Sequence, residues 1–174
     1  SLSNTRILIS GYFGCGNAGD ELILHSMLKL LNEMFEKPDM TVLSGNPAHT
    51  IKNHSVKAIS RRSPFKIISA MERCDIFING GGGLLQDATS SKSLWYYLFL
   101  IRLAKLFGRK VILLGNGVGP IDSRFNRFVT GWAVNKADMI TVRDEHSKNV
   151  LLYCGVKKHV YVFADFCFTL KKGN

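Results

Sequence analysis

Residues Asp75–Asp87 read Asp-Ile-Phe-Ile-Asn-Gly-Gly-Gly-Gly-Leu-Leu-Gln-Asp, a short apolar run that passes directly into four glycines. A β-branched and aromatic run of this length is typical of a buried strand, and glycine ends it. Consecutive glycines let the backbone approach a ligand closely and present N–H groups to an anion. A tight strand-to-helix turn would also use glycine, but a run of four is entropically unfavourable for that purpose alone. The stretch therefore predicts a strand whose carboxyl end carries a binding loop.

The same arrangement recurs on both sides of this stretch. Arg6–Gly11 precedes a loop rich in glycine that ends at Gly19, and Lys110–Leu114 precedes Gly115–Pro120. Further strands are predicted over Met40–Leu43, Val56–Ile59, Met139–Val142 and Val160–Phe163, and helices over Asp20–Phe35, Ser63–Arg73, Ser93–Phe107, Arg124–Lys136 and Arg143–Tyr153. Strands that alternate with helices predict an α/β fold with a doubly wound parallel sheet. Because ligands bind at the carboxyl edge of such a sheet, the glycine loops are expected to share one cleft.

The length and composition limit the class of protein. The chain has 174 residues, of which 46% are apolar, so we expect a single domain over residues 1–174 with one substantial core. A disordered protein is excluded, because such chains lack the apolar residues needed for a core. No apolar run approaches the roughly 20 residues of a membrane span. No secretory signal is apparent, and the four scattered cysteines have no metal-ligand spacing, so we expect a reducing, cytoplasmic location and no metal.

The charge is strongly positive and unevenly placed. The 23 Lys and Arg exceed the 13 Asp and Glu by ten, and all of this excess follows Ser60. Such a surface attracts phosphates, carboxylates, nucleic acid or anionic lipid, although solubility explains it equally well. The helix around Leu94–Phe107 is apolar nearly all round, which favours burial in the core. With Arg102 and Lys105 nearby, contact with an anionic membrane surface is the alternative.

The first glycine loop ends in two carboxylates, Asp20 and Glu21. Gly14-x-Gly16-x-x-Gly19 matches a dinucleotide-binding motif, but Ser44-Gly45-Asn46 offers no acidic residue for a ribose at the end of the second strand. Carboxylates at the helix start would also repel a pyrophosphate. Asp20 and Glu21 therefore either cap the helix or accept protons from sugar hydroxyls.

Other polar residues follow the later strands. Gln86 and Asp87 come after the four glycines, and Asp165 follows the last strand. Arg143 ends another strand, where its guanidinium could bind a carboxylate or phosphate through two hydrogen bonds. An ion pair between Arg143 and Asp144 or Glu145 is the alternative.

Taken in order, these motifs resemble the polysaccharide pyruvyltransferase family, in its cell-wall branch. The resemblance rests on the segments Gly11–Glu21, Gly80–Asp87, Gly115–Pro120, Thr141–Asp144 and Ala164–Asp165. It implies one Rossmann-like half of a two-domain, GT-B-type enzyme. Members transfer a pyruvyl group from phosphoenolpyruvate to a sugar of a bacterial cell-envelope polysaccharide precursor, forming a ketal and releasing phosphate. Asn116 stands where relatives commonly have Gln, and Asp165-Phe166 where they have Asp-Pro.

The resemblance also implies roles for residues. The chain is similar to the amino-terminal half of its relatives, whose carboxyl-terminal half holds a His and basic residues for phosphoenolpyruvate, so the isolated domain is expected to be inactive or nearly so. Asp20 and Glu21 would serve the sugar hydroxyls, and Arg143 the donor. Substrate-binding residues are expected at Asn17, Gly19, Gly81, Gly82, Gln86, Asp87, Asn116, Gly117 and Asp165.

The expected partners are phosphoenolpyruvate as donor substrate, with no separate cofactor, and a sugar acceptor that is lipid-linked. That acceptor would place the enzyme at the inner face of the cell membrane. No nucleic acid is expected, because no recognised motif or aromatic-interleaved basic stripe is present. Two alternatives remain at this point: a nucleotide-sugar-dependent GT-B glycosyltransferase domain and a non-catalytic anion-binding Rossmann-like domain.

Overall fold

A computed structural model describes residues 4–163, in which helices and strands alternate along the chain. The strands are β1 Arg6–Phe13, β2 Asp39–Ser44, β3 Lys57–Ser60, β4 Ile76–Gly80, β5 Lys110–Asn116, β6 Met139–Val142 and β7 Val160–Val162. The helices are α1 Ala18–Met34, α2 Pro47–His54, α3 Pro64–Arg73, α4 Ser91–Leu106, α5 Arg124–Val134 and α6 Glu145–Tyr153.

All seven strands form one parallel sheet in the order β3-β2-β1-β4-β5-β6-β7. The first six follow the Rossmann order, and β7 extends the edge beside β6. The prediction of an α/β, doubly wound, Rossmann-like sheet is therefore confirmed. The chain adds strands in one direction from β1 to β3 and in the opposite direction from β4 onward, so the order reverses between β1 and β4. These two strands are paired from Ile7–Ile76 to Ser10–Asn79. Ligands bind at such a switch point, so the loops after β1 and β4 flank the expected cleft.

The core has two layers, one on each face of the sheet. Because strand side chains alternate, Ile7 and Ile9 of β1 pack with α1, while Leu8 packs with α3 and α4 on the opposite face. Burying such a side chain stabilises the fold by roughly 1.5–3 kcal/mol. Rigid packing on both faces leaves the carboxyl edge as the place where loops are free to bind ligands.

Most predicted elements are confirmed, and the differences have local causes. β1 continues to Phe13, two residues beyond its first glycine, since Gly11 fits closely beside the backbone of Gly80. Helix α2 was not predicted, because only its Thr50 is buried and no apolar periodicity marks it. Its start is nevertheless visible in the sequence, where Asn46 caps the helix and Pro47 occupies its first turn.

Helix α4 is only partly the core helix that its sequence favours. Tyr97, Leu98 and Ile101 are fully buried, whereas Phe99 is 63% and Leu106 81% exposed. Apolar residues therefore lie on both its inner and its outer surface. Within residues 4–163, no helix is both long and apolar enough to cross a bilayer.

Candidate active site at the carboxyl edge of the sheet

The loops after three adjacent strands remain hydrogen-bonded beyond the end of the sheet. The backbone N–H of Gly117 donates to the carbonyl oxygen of Gly82 at 2.8 Å, and that of Arg143 donates to the carbonyl oxygen of Asn116 at 3.0 Å. Asp20 approaches the same loop, because one of its carboxylate oxygens lies 2.7 Å from where a Cβ of residue 82 would stand. The structure thus brings these predicted site residues together at one edge.

The carboxylate of Asp20 is half-buried and, among residues 4–163, has no ionic partner. Gly82 has a φ of +74° and no side chain, which leaves room for this carboxylate between the loops after β1 and β4. Among the described residues, no Lys, Arg or His nitrogen lies within 4 Å of it. Burial, and then the nearby charge of Glu21, raise the pKa of Asp20. An unpaired carboxylate with a raised pKa is suited to accept a proton from a hydroxyl.

Glu21, its neighbour, is bound on both oxygens. Oε1 accepts a hydrogen bond from the backbone N–H of Gly14 at 2.8 Å, and Oε2 lies 2.7 Å from Nε2 of the buried His54. Glu21 therefore ties the β1–α1 loop to α2. These contacts show that Glu21 holds the β1–α1 loop in position. Its expected catalytic role stays a prediction.

Three of the predicted substrate-binding residues shape the loops themselves. Asn17 caps α1, since its Oδ1 accepts the N–H of Asp20 at 3.1 Å, so neither Asp20 nor Glu21 is the capping residue. A side chain at Gly19 would stand 3.3 Å from that same oxygen. Gly81 packs against α1, where a Cβ would meet Ile23 at 2.1 Å. Their geometry fixes where Asp20 stands, and binding by these residues stays a prediction.

Asp87 has an environment opposite to that of Asp20. Its carboxylate accepts the backbone N–H groups of Asp122 at 2.9 Å and Ser123 at 3.2 Å, and Nδ2 of Asn126 at 2.9 Å. Burial alone would raise its pKa, but these hydrogen bonds outweigh burial and lower the pKa of Asp87. The carboxylate thus anchors the start of α5, and its predicted contact with substrate remains untested.

A cavity of about 270 Å³ lies beside Asp20. Its wall combines a carboxylate, an amide, hydroxyls and aromatic rings, from Tyr12, Asp20, Gly83, Leu84, Gln86, Thr89, Ser93 and Tyr97. The amide of Gln86 donates to Oγ1 of Thr89 at 3.0 Å, which orients both side chains. Polar groups that converge over aromatic walls are typical of a small-molecule site.

Arg143 packs over Gly117, the residue whose N–H is hydrogen-bonded to Gly82. A Cβ at Gly117 would stand 2.6 Å from the guanidinium carbon, so glycine at 117 makes room for this side chain. Nε of Arg143 is 3.5 Å from Asp144, which is the ion pair considered above. Because both side chains are about half exposed, such a pair contributes little, and the guanidinium stays available to an anion. Arg143 borders a separate cavity of about 510 Å³ with Gly81 and Gly82.

Asn116, Asn79 and Ser10 are buried polar residues near the carboxyl ends of β5, β4 and β1. Within the described residues, neither amide atom of Asn116 or of Asn79 has a hydrogen-bond partner, and the hydroxyl of Ser10 has none. All three are at most 1% exposed, and Ser10 pairs directly with Asn79 across β1 and β4. An unpaired buried amide costs about 1–3 kcal/mol, so such groups mark places of functional interest. The polar end of the apolar run Asp75–Asn79 is the signal that could have found Asn79.

A second missed residue is Arg61, which directly follows β3. Its guanidinium lies 4.9 Å from the ring centre of Tyr96 and 5.4 Å from that of Tyr12, and Nη2 donates to the hydroxyl of Tyr97 at 3.2 Å. Burial opposes its charge, but Tyr97, Tyr96 and Cys15 more than offset burial and raise the pKa of Arg61. The pair Arg61-Arg62 at the end of a predicted strand was the available signal.

Asp165 lies outside the described residues. Over residues 4–163, no group of three or more His, Cys, Asp or Glu side chains is placed to hold a metal ion.

Glycine loops and polar side chains at the switch point of a Rossmann-like sheet are features of ligand-binding α/β domains. A sequence model of the family described as polysaccharide pyruvyl transferase matches residues 17–174. The chain therefore belongs to the polysaccharide pyruvyl transferase family, as its motifs led us to expect, and is a transferase of the pyruvyl-transferring kind. Searches of curated proteins and of solved structures find no match to the chain.

Proposed function

We propose that this chain forms the acceptor-binding half of an enzyme that transfers a pyruvyl group from phosphoenolpyruvate to a sugar. The product is a pyruvate ketal on a cell-envelope polysaccharide precursor, and phosphate is released. The observation that carries the proposal is the Asp20 carboxylate, which is unpaired among the described residues and held against Gly82 at the switch point of the sheet.

The chemistry explains why such a carboxylate is needed. The donor's methylene takes up a proton and becomes a methyl group, and one sugar hydroxyl adds to the neighbouring carbon. Phosphate then leaves with its electron pair, and a second hydroxyl adds to the oxocarbenium carbon. In the overall reaction, one of the two hydroxyl protons is accounted for by the new methyl group, and the other is taken up by the released phosphate. A general base must therefore accept protons from two hydroxyls in turn.

Asp20 is suited to this role by position and by pKa. It lines the cavity that also holds Gln86 and Thr89, whose amide and hydroxyl groups can hydrogen-bond to a sugar. Because its pKa is raised, the ionised carboxylate is a stronger base than an ordinary aspartate.

Arg143 would serve the donor. Its guanidinium is exposed and packs over Gly117, and it borders a different cavity from that of Asp20. A planar guanidinium can bind the donor's carboxylate or phosphate through two hydrogen bonds and stabilise negative charge as the phosphate leaves. The proton donor for the methylene, and the remaining cations, would come from the second half of the enzyme.

Phosphate release from phosphoenolpyruvate tests whether both halves of the enzyme are needed for transfer. The acceptor is a pool of lipid-linked sugars extracted from cells that make the enzyme. We expect residues 1–174 alone to release little phosphate and the two-domain enzyme to release it steadily. Normal release by residues 1–174 alone would overturn the acceptor-half assignment. Calorimetric binding of a nucleotide diphosphate-sugar, without any transfer from phosphoenolpyruvate, would instead indicate a glycosyltransferase.

A further inference from the structure

A cavity of about 680 Å³, which we call the basic cavity, adjoins the acceptor cavity, and its wall combines cations with apolar side chains. Three cations line it, Arg61, Arg62 and Lys92, together with the rings of Tyr12 and Tyr96. Among the described residues, no Asp or Glu lines it. A concave surface with several cations and no carboxylate concentrates anionic ligands.

Arg61 is a half-buried arginine that has no carboxylate partner among the described residues. Arg6 pairs with Asp75 at 3.3 Å and Arg143 with Asp144 at 3.5 Å, whereas no carboxylate of the described residues lies within 4 Å of Arg61. Its charge is nevertheless half-buried, between three tyrosine rings that hold the guanidinium in place. A positioned, partly desolvated guanidinium is a strong partner for phosphate oxygens.

The shared walls of the two cavities identify which substrate would supply the anion. Tyr12 and Ser93 line both the basic cavity and the cavity of Asp20. The cavity bordered by Arg143, the residue proposed to serve the donor, shares no lining residue with the basic one. A ligand whose sugar ring lies at Asp20 can therefore extend past Tyr12 to Arg61.

We propose that Arg61, Arg62 and Lys92 bind a phosphate group carried by the acceptor, while the acceptor's sugar hydroxyls lie at Asp20. This inference rests on the proposed function, since it assigns the Asp20 cavity to the acceptor. It identifies the acceptor as a phosphorylated sugar rather than a neutral glycan.

Calorimetric titration with inorganic pyrophosphate tests the site without requiring the reaction. Arg62 and Lys92 are exposed, so Arg62→Ala and Lys92→Ala are expected to leave the fold intact. We expect each to weaken pyrophosphate binding about tenfold, as the loss of one charge-assisted hydrogen bond does. Arg61→Lys keeps the positive charge but lacks the planar guanidinium group, so it should also weaken pyrophosphate binding. Arg73→Ala is the matched control, because Arg73 lies on α3 outside this cavity and bonds to Ser69.

The outcomes separate this proposal from the proposed function. Pyrophosphate affinity that is equal in wild type, Arg62→Ala and Lys92→Ala would overturn the site. Displacement of pyrophosphate by phosphoenolpyruvate would also overturn it, because the cavity would then belong to the donor. A failure of pyruvyl transfer in the two-domain enzyme would contradict the proposed function and leave the pyrophosphate titration unchanged.

A second surface carries an independent inference, because it exposes many large apolar side chains. On α4 and α5 these are Trp95, Phe99, Leu106, Phe125, Phe128 and Trp132, each between 44% and 81% exposed. They border or adjoin a groove of about 860 Å³ between the two helices. Soluble proteins seldom expose so many neighbouring aromatic residues unless the surface binds a partner.

The charges around this groove indicate the partner. Helices α4 and α5 contain no Asp or Glu. The cations that line the groove are Arg102, Lys105 and Lys136, of which Lys105 pairs with Asp138 at 2.9 Å. The guanidinium of Arg102 lies 3.7 Å from the ring centre of Trp132, so cation and aromatic ring are presented together. Two copies of this face would repel each other, which disfavours a symmetric dimer. An anionic bilayer, with acidic headgroups above an apolar interior, matches both features.

We infer that the α4–α5 face binds the surface of an anionic membrane. Co-sedimentation with vesicles of phosphatidylcholine and phosphatidylglycerol at 3:1 is compared with phosphatidylcholine alone. Wild type should favour the anionic vesicles at least tenfold, since each basic residue near the surface contributes several-fold. Phe99→Ser with Phe128→Ser should lose most of this binding. Leu22→Ser, an equally exposed apolar site on α1 across the sheet, should retain it.

Two results would contradict the membrane assignment. One is equal sedimentation of wild type with both kinds of vesicle. The other is a wild-type dimer in light scattering that becomes monomeric in the Phe99→Ser, Phe128→Ser variant, since the face would then bind a second copy of the chain.

Discussion

Asp20 and Asp87 lie at the same edge of one sheet, yet their surroundings differ in almost every respect. Asp87 follows β4 and accepts three hydrogen bonds that anchor α5, and its pKa is lowered. Asp20 opens α1, has no cation within 4 Å among the described residues, and its pKa is raised. The comparison shows that position at a strand's carboxyl end does not by itself make a carboxylate reactive. Its reactivity depends on how many hydrogen-bond donors of the protein already contact the carboxylate.

The largest expected effect concerns activity. In the two-domain enzyme, Asp20→Asn should lower kcat by about 10²–10⁴-fold, because general-base catalysis contributes that much. Asp39→Asn is the control, since Asp39 lies at the start of β2 and pairs with Lys57. Phosphate release from phosphoenolpyruvate measures both variants. Equal rates for Asp20→Asn and Asp39→Asn would remove Asp20 from the chemistry.

The next effect concerns stability at the other aspartate. Asp87→Ala removes an acceptor shared by two backbone N–H groups and the amide of Asn126, which should destabilise the fold by about 1–3 kcal/mol. Urea unfolding at pH 7 measures the change in free energy. A loss no greater than that of Asp20→Ala would break the proposed contrast between the two carboxylates.

The glycines beside Asp20 provide a smaller test. Gly82→Ala forces a Cβ into a residue with φ of +74° and against the Asp20 carboxylate, which should cost about 1–2 kcal/mol. Gly83→Ala is matched to it, because a Cβ at Gly83 meets nothing within 4 Å. Thermal melts of the two variants should differ by several degrees. Indistinguishable melts would show that Gly82 is not needed to accommodate Asp20.

The smallest effect is the pH dependence of stability, which should have opposite signs at the two sites. Asp20 binds its proton more tightly in the folded state, so ionising it reduces stability as the pH rises above 3.8. Asp20→Asn should therefore be slightly more stable than wild type at pH 7, with the difference vanishing below 3.8. Asp87 contributes stability above 3.8 that is lost as the pH falls through its lowered pKa. Asp87→Asn should be the less stable variant at pH 7, with its deficit shrinking in acid. Urea titrations from pH 3 to 7 measure both, and the same sign in both variants would contradict the contrast.

The sequence was sufficient for the fold because apolar strands, glycine loops and helix starts such as Ser63-Pro64 are local signals. It also located the edge at which Asp20, Gly82, Asn116 and Arg143 meet. It could not separate Asp20 from Asp87, because the donors that satisfy Asp87 lie 35 to 39 residues further along the chain. It missed Arg61 for the same reason, since Tyr96 and Tyr97, which contact Arg61, lie on helix α4, about 35 residues further along the chain.

The most direct measurement is the pKa of both carboxyl groups in one sample, by carbon NMR of selectively labelled aspartate in residues 1–174. The structure predicts that Asp20 titrates above its usual value of 3.8 and Asp87 below it. Adding acceptor should then shift the Asp20 signal more than that of Asp87. Titration of Asp20 at or below the pKa of Asp87 would contradict the central claim that Asp20 is the free, proton-accepting carboxylate of this site.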